Sequence, residues 1–379
     1  MLFKKKKLIF NLHLILGFLA CLPLIIIAVT GSMISYNNEI RNTINSLSFK
    51  ADFNQIHTIA KTTQMFKNNY PNLEINSIKF EIQNPNLLTI TTHKDQTNYL
   101  ISRSDGTILG TDLGAKVMQI ALALHRNLGL SLINSSFDGR IIGKHIVGVC
   151  SICLIVLCLS GLYLYAPRVK YAFFRSLKPN FKLKKYQFFY NLHSVFGVWS
   201  FAILILISLT GLFWSYAWVN SLFHKAFGIE QVQRDSKMRT KQTQKTAQAK
   251  FDQTSLEVVL ATFEQNVKPG FQRQTIKQTS PNIYEIAYQN DLDTRVSNSV
   301  TINASTGEIL NHQLAKISPQ RALSLTILDL HSGKFFGKIG LFIFCIVSLL
   351  AALFAISGVI MSYFRLSKKP KIGKHTKKI

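Results

Sequence analysis

Acidic residues are scarce in this 379-residue chain. Eighteen Asp and Glu stand against 44 Lys and Arg, for a formal net charge of +26. The four longest apolar runs hold no acid, which gives little support to a transporter that moves cargo past carboxylates inside a membrane. Cysteine is rare as well. The five residues, Cys21, Cys150, Cys153, Cys158 and Cys345, all lie in apolar runs, so no disulfide framework is expected in the polar connections. Cys150-x-x-Cys153 has the spacing of a redox or zinc pair. It sits in the middle of an apolar run with no second pair and is better explained as two small buried residues. There is no Gly-x-Gly-x-x-Gly after a strand, no Walker A loop, no nucleophile elbow and no Cys-x-x-Cys-His. A nicotinamide or P-loop domain, an α/β-hydrolase and a covalently attached c-type haem are thereby excluded.

What the chain has in abundance is apolar sequence. Hydrophobic residues make up 47% and the mean hydropathy is +0.18. Residues 8–36, 141–166, 188–216 and 336–364 form four runs, each long enough to cross a hydrocarbon core of about 30 Å as a helix. The first is too long for the apolar region of a signal peptide and lacks a small-residue cleavage site, so it is expected to be retained. Lys4–Lys7, seven cations between Arg168 and Lys185, and seven more from Arg365 onward carry 18 of the 26 excess charges. With four spans, all three stretches fall on one side, which the positive-inside rule makes cytoplasmic. Both termini and the basic loop 167–187 then face the cytoplasm, together with the tail 365–379. The connections 37–140 and 217–335 face outward, into the periplasm of a Gram-negative cell. Nucleic acid is not an expected partner, because the basic stretches are short and flank spans.

One plan occurs twice. His13 is followed 17 residues later by Thr30-Gly31, and His193 by Thr210-Gly211 at the same interval. Leu-His recurs at His125 and His331, ahead of "GRIIGK" at 139–144 and "GKFFGK" at 333–338. The spans that follow reach Ser160-Gly161 and Ser357-Gly358. This is the pattern of a parallel repeat about an axis along the membrane normal. Each outward connection shows a helical stretch (52–68, 255–267) and three alternating stretches (75–82, 87–93, 98–103; 271–278, 283–289, 297–303). Asp105-Gly106 and Thr306-Gly307 then mark hairpin turns. The expected fold is a four-span α-helical membrane bundle built from two parallel repeats, with two periplasmic α+β modules. The polar segment Arg234–Lys250 is expected to be a loop or linker.

Five of the ten histidines, His57, His93, His224, His312 and His375, fall in polar or interfacial settings. An ionisable residue inside an apolar helix is costly and is a functional candidate. His13 and His193 lie about five residues, or roughly 7 Å, inside their runs on the cytoplasmic side. His125 and His331 lie just before outward span starts. The four sort into two same-level pairs, expected roughly 20–26 Å apart along the helices. Taken singly, each is explained as an interfacial residue with a satisfied hydrogen bond. Taken as pairs, they suit the two axial positions of a haem iron, which leaves no open coordination and favours electron carriage. Zinc or copper also uses histidine pairs, but structural zinc wants four close N or S ligands. His145 has no counterpart in the other half and is a lesser candidate for the outer pair. Arg126 stands next to His125, where it either meets a haem propionate or marks the interface. Gly17 and Gly197, one turn from His13 and His193, let a flat macrocycle or a neighbouring helix come close. Trp199, Trp214 and Trp218 are read as packing and aromatic-belt residues.

The repeated Asn-Leu-His…Thr-Gly pattern, the Leu-His before spans two and four, and the Gly-containing hairpin turns resemble the PepSY-associated transmembrane proteins, also called iron-regulated membrane proteins. The likeness covers nearly the whole chain. It is similar to inner-membrane ferric-siderophore reductases that carry haem, and it implies specific expectations. His13, His193, His125 and His331 would be axial ligands of haem b, two groups if both pairs are filled. The substrate would be a ferric siderophore or other ferric chelate, reduced on the periplasmic side to release Fe²⁺. Electrons would come from a quinol or a cytoplasmic reductase. The alternative is a non-redox PepSY membrane protein that binds or regulates a periplasmic partner.

Overall fold

The computed structural model describes residues 2–48, 55–133, 138–230, 251–267, 273–289 and 296–367. The expected linker Arg234–Lys250, His375 and the tail beyond 367 lie outside the described residues. In chain order the elements are α1 (Leu2–Ser35), α2 (Asn37–Ser48), α3 (Ile59–Asn69), β1 (Ile75–Glu81), β2 (Leu87–Thr92), β3 (Asn98–Ser102) and β4 (Ile108–Thr111). Then come α4 (Leu113–Asn127), α5 (Gly139–Tyr171), α6 (Phe173–Ser176), α7 (Lys185–Ser215), α8 (Ala217–Ala226) and α9 (Gln253–Asn266). Strands β5 (Arg273–Ser280), β6 (Ile283–Gln289), β7 (Asn298–Asn303) and β8 (Glu308–Gln313) follow, and α10 (Pro319–Ser332) and α11 (Gly337–Leu366) close the chain. They divide into two compact units: residues 1–37, 118–231 and 319–379, and residues 38–117 and 232–318.

The first unit is helical. Helices α1, α5, α7 and α11 are each long and apolar enough to cross a membrane. Apolar side chains point outward from them, with Leu8, Leu19 and Ile339 at least 70% exposed. A water-soluble protein would bury such residues, whereas lipid accepts them. The four pack in a ring, α1 against α5 and α11, and α7 against α5 and α11. Small residues serve the contacts: Ala28, Ala351 and Ala352 are buried beside Leu204 and Val347. Lipid supplies no hydrophobic drive between helices, so close approach over small side chains holds them. The glycines of the "GRIIGK" motif let α5 approach the end of α4 and the turn that follows it. A side chain at Gly139 or Gly143 would strike the backbone carbonyl of Leu130 or Asn127.

The second unit corrects the expectation of two separate α+β modules. The two sets of strands form one eight-stranded antiparallel sheet, ordered β4-β3-β2-β1-β5-β6-β7-β8. β1 pairs with β5, placing Ile78 opposite Ile276 and Phe80 opposite Gln274. The reason is physical: each four-stranded set alone would leave an open edge at β1 or β5, and pairing removes both. A single core follows, in which α3 and α9 pack on each other and cover Ile78, Ile90, Ile276, Ile286 and Val300. Helices α4 from Met118 onward, α8 and α10 group with the helical unit. Gly106 (φ +69°) and Gly307 (φ +71°) make the two expected turns, a left-handed conformation that glycine adopts without strain.

Lys79 and Glu81 point away from that core, on the face that α2 approaches. Arg41 of α2 bonds Glu81 at 3.0 Å and Asp112 at 2.6 Å, while Lys79 and Arg273 also reach Glu81, at 2.9 and 3.3 Å. Asn45 accepts from the Gly114 amide and donates to Asp112, which ties α2 to the start of α4. Burial alone would raise the Glu81 carboxyl, but the charges of Lys79 and Arg41 outweigh it and hold it at about 2.

The Glu81 contribution should be complete above its ordinary value near 4.5 and should be lost as pH falls towards 2. Hydrogen exchange of the β1 and β5 amides should speed up across that window, with up to about 3 kcal/mol at stake. Ile276→Ala should destabilise the same amides by about 2–4 kcal/mol at neutral pH, measured by the same exchange experiment.

Candidate functional site

The helical unit brings four histidines together in two pairs. His13 on α1 and His193 on α7 have ring centres 6.3 Å apart, with planes turned by 71°. His125 on α4 and His331 on α10 have ring centres 6.1 Å apart, turned by 66°. Each ring is held through Nδ1 by another helix. His13 donates to Ser160 Oγ of α5 at 2.8 Å, and that hydroxyl gives its own proton to the Val156 carbonyl. His193 donates to Ser357 Oγ of α11 at 2.9 Å, and Ser357 donates to Phe354 O. His125 donates to the Ile27 carbonyl of α1 at 2.9 Å. His331 donates to the Ile207 carbonyl of α7, and to Thr210 Oγ1, whose proton goes to Leu206 O.

Nδ1 of His125 and of His331 faces a carbonyl, so it must carry the hydrogen and Nε2 keeps its lone pair. Ser160 and Ser357 also bond carbonyls of their own helices, which favours the same tautomer at His13 and His193. An imidazole anchored through Nδ1–H with Nε2 available is the usual state of a metal-binding histidine.

The recurring Thr-Gly and Ser-Gly motifs are the seats of these rings. A Cβ at Gly161 or Gly211 would stand 3.3 Å from Cε1 of His13 or His331, and one at Gly31 would stand 2.9 Å from Cε1 of His125. At Gly358, beside Ser357, a Cβ would meet nothing within 4 Å. In sequence these motifs mark the repeat; their partnership with the histidines shows only when α1 meets α5 and α4, and α7 meets α11 and α10. The one available signal was their recurrence in every span. Aromatic rings complete the surroundings. Phe354 lies 5.3 Å from His193 and Trp214 lies 5.6 Å from His331, a packing contact of the kind expected for Trp214.

Among the described residues, no group of three or more His, Cys, Asp or Glu is placed to hold a metal. Two imidazoles on opposite sides of one metal stand about 6.4 Å apart centre to centre, given a bond of about 2.0 Å and a ring radius of about 1.2 Å. The observed 6.3 and 6.1 Å are close to that value, which is also the spacing of ordinary ring contacts here such as Tyr186–Tyr190 at 6.2 Å. Near the His13–His193 pair a Cβ at Gly197 would meet nothing within 4 Å, and one at Gly17 would meet Leu157 only at 3.7 Å. Fourteen residues separate His13 from Ile27, and His193 from Ile207, which puts the levels of the two pairs about 21 Å apart along α1 and α7.

The other candidates lie elsewhere. His145 is exposed, and its ring neighbour is Tyr216, 5.9 Å away. Arg126 is exposed beside His125. His224, expected at an interface, is buried: it donates to Asn220 O and stacks on Phe213. His312 bonds the Tyr288 hydroxyl at 2.7 Å within the sheet unit.

A family model described as "PepSY-associated TM region" matches residues 10–365. No curated protein matches the sequence.

Ser160→Ala should leave the His13 Nδ1–H without its acceptor in an apolar setting. A loss of about 1–3 kcal/mol is expected, measurable as a lower unfolding temperature of the detergent-solubilised protein, with Ser151→Ala as the control away from the pair.

Proposed function

The chain belongs to the PepSY-associated TM family, and from its histidine geometry we propose a membrane-bound b-type haem electron carrier that reduces a ferric chelate. The observation that carries the proposal is the set of four histidines, paired at 6.3 and 6.1 Å, with every Nδ1 hydrogen-bonded and every Nε2 left to bind a metal. His13 and His193 would hold one haem, and His125 and His331 the other. Haem held this way would supply a one-electron couple at each level, with both axial positions filled.

The chain's own groups do the rest. Ser160, Ser357, Ile27 O and Ile207 O fix the rings. Gly161, Gly211 and Gly31 make room for them. The apolar helices exclude water, and the spans that carry His13 and His193 hold no acid, while α10 carries Asp329 two residues before His331. Arg126, one residue from His125, suits a propionate. The basic loop and termini support an inner-membrane placement with both termini cytoplasmic. The His13–His193 pair then lies towards a cytoplasmic reductase or a quinol, and the sheet unit faces the periplasm. A ferric siderophore or similar chelate is the favoured substrate class, because Fe²⁺ is held less tightly than Fe³⁺ by hard oxygen ligands.

Protein purified from haem-replete cells should show a haem α-band in its reduced-minus-oxidised spectrum and about two haems per chain by pyridine haemochrome. His13→Ala and His331→Ala should each lose about one haem, and His145→Ala none. Full haem in both variants would refute the ligand assignment. Wild-type protein without haem would refute the proposal, and leave the non-redox reading in which the sheet unit binds a periplasmic partner.

A further inference from the structure

The sheet unit holds a second polar site, unconnected with the histidines. A cleft of about 260 Å³ opens between α2 and strands β1 and β2, with Arg41, Ser46, Lys79, Glu81, Asn86 and Thr89 on its wall. Its charge is unbalanced. Among the described residues, Arg41, Lys79 and Arg273 converge on the single carboxylate of Glu81, and Arg41 alone has a second acid, Asp112. Among those residues three cations thus face two carboxylates beside a half-enclosed space. Lys79 uses one of its three ammonium donors on Glu81; its side chain is 28% exposed, which leaves the others able to reach a guest.

The other half of the sheet shows that folding does not require this cluster. β5 takes the part of β1 there, with Ile276 opposite Ile78. It carries Lys277 where β1 has Lys79, but Thr279 where β1 has Glu81. There Lys277 faces Glu285 across the β5–β6 pair, whereas Lys79 faces Thr89 across β1–β2. Burying charges costs solvation even when they pair, so the cluster in the first half is maintained against that cost.

We infer that this cleft binds a small anion bearing carboxylate groups. Lys79 on the wall would supply the charge, with Arg273 behind it on Glu81, and the amide and hydroxyl side chains of Asn86 and Thr89 the neutral donors. Arg41, clamped by Glu81 and Asp112, shapes the floor. The volume is at the small end for a ligand pocket, which points to a metabolite-sized anion or to one arm of a larger one. The inference needs the cleft alone and does not depend on haem.

The test is isothermal titration of citrate into the full chain in detergent. Saturable binding is expected. Lys79→Met and Arg273→Gln should each weaken it about tenfold, and Lys277→Met, the matching lysine of the other half, should leave it within about twofold. If Lys79→Met fails to fold, the exposed Arg273→Gln carries the test. Absence of binding in the millimolar range, or equal binding in the cleft variants and wild type, overturns the inference. Haem content measured on the same samples keeps that failure separate from a failure of the haem reading.

Discussion

Four Nδ1–H hydrogen bonds are the constraint on which the helical unit depends. Each begins on an imidazole and ends on a different helix: α1 to α5, α7 to α11, α4 to α1 and α10 to α7. Inside an apolar bundle an unsatisfied donor has no water to turn to. The helices must therefore meet at the registers that bring hydroxyl or carbonyl to imidazole. The glycine beside three of the seats lets the ring lie against the helix. The same bonds fix the tautomer of His125 and His331 and favour it at His13 and His193, so packing and chemistry are set by one set of contacts.

The sheet unit is governed by a different constraint, the open strand edge. Two four-stranded sets, each with one helix, have little core of their own. Pairing β1 with β5 joins their cores, so Phe66 of the first half and Phe263 of the second belong to one buried cluster. On the opposite face the halves differ. The first half carries the Arg41–Glu81–Asp112 cluster and the cleft; among the described residues of the second, Lys277 instead faces Glu285 across β5 and β6.

The span boundaries were legible because composition decides them: a long apolar run has few stable places outside lipid. Most strands were legible within a few residues, through alternation and the turn glycines Gly106 and Gly307. The histidine pairing by level followed from the doubled intervals between His13 or His193 and Thr-Gly. Less visible was anything that depends on which helix meets which. Ser160 and Ser357 lie 147 and 164 residues from the histidines they anchor, a distance no local pattern bridges. The joined sheet was missed for the same reason, since β1 and β5 are almost 200 residues apart and nothing in either marks it as an internal rather than an edge strand. Arg41 carried no signal, because a lone arginine after a span is also what the membrane interface favours.

The sequence by itself determined the four apolar helices, the doubled order of elements and the candidate histidines, because periodicity and hydropathy act over a few turns of chain. Only the tertiary structure decided that the rings stand about 6 Å apart, that each is seated on a hydroxyl or carbonyl of another helix, and that two modules are one sheet. Those outcomes depend on which surfaces meet, and the need to satisfy every polar group away from water selects that meeting.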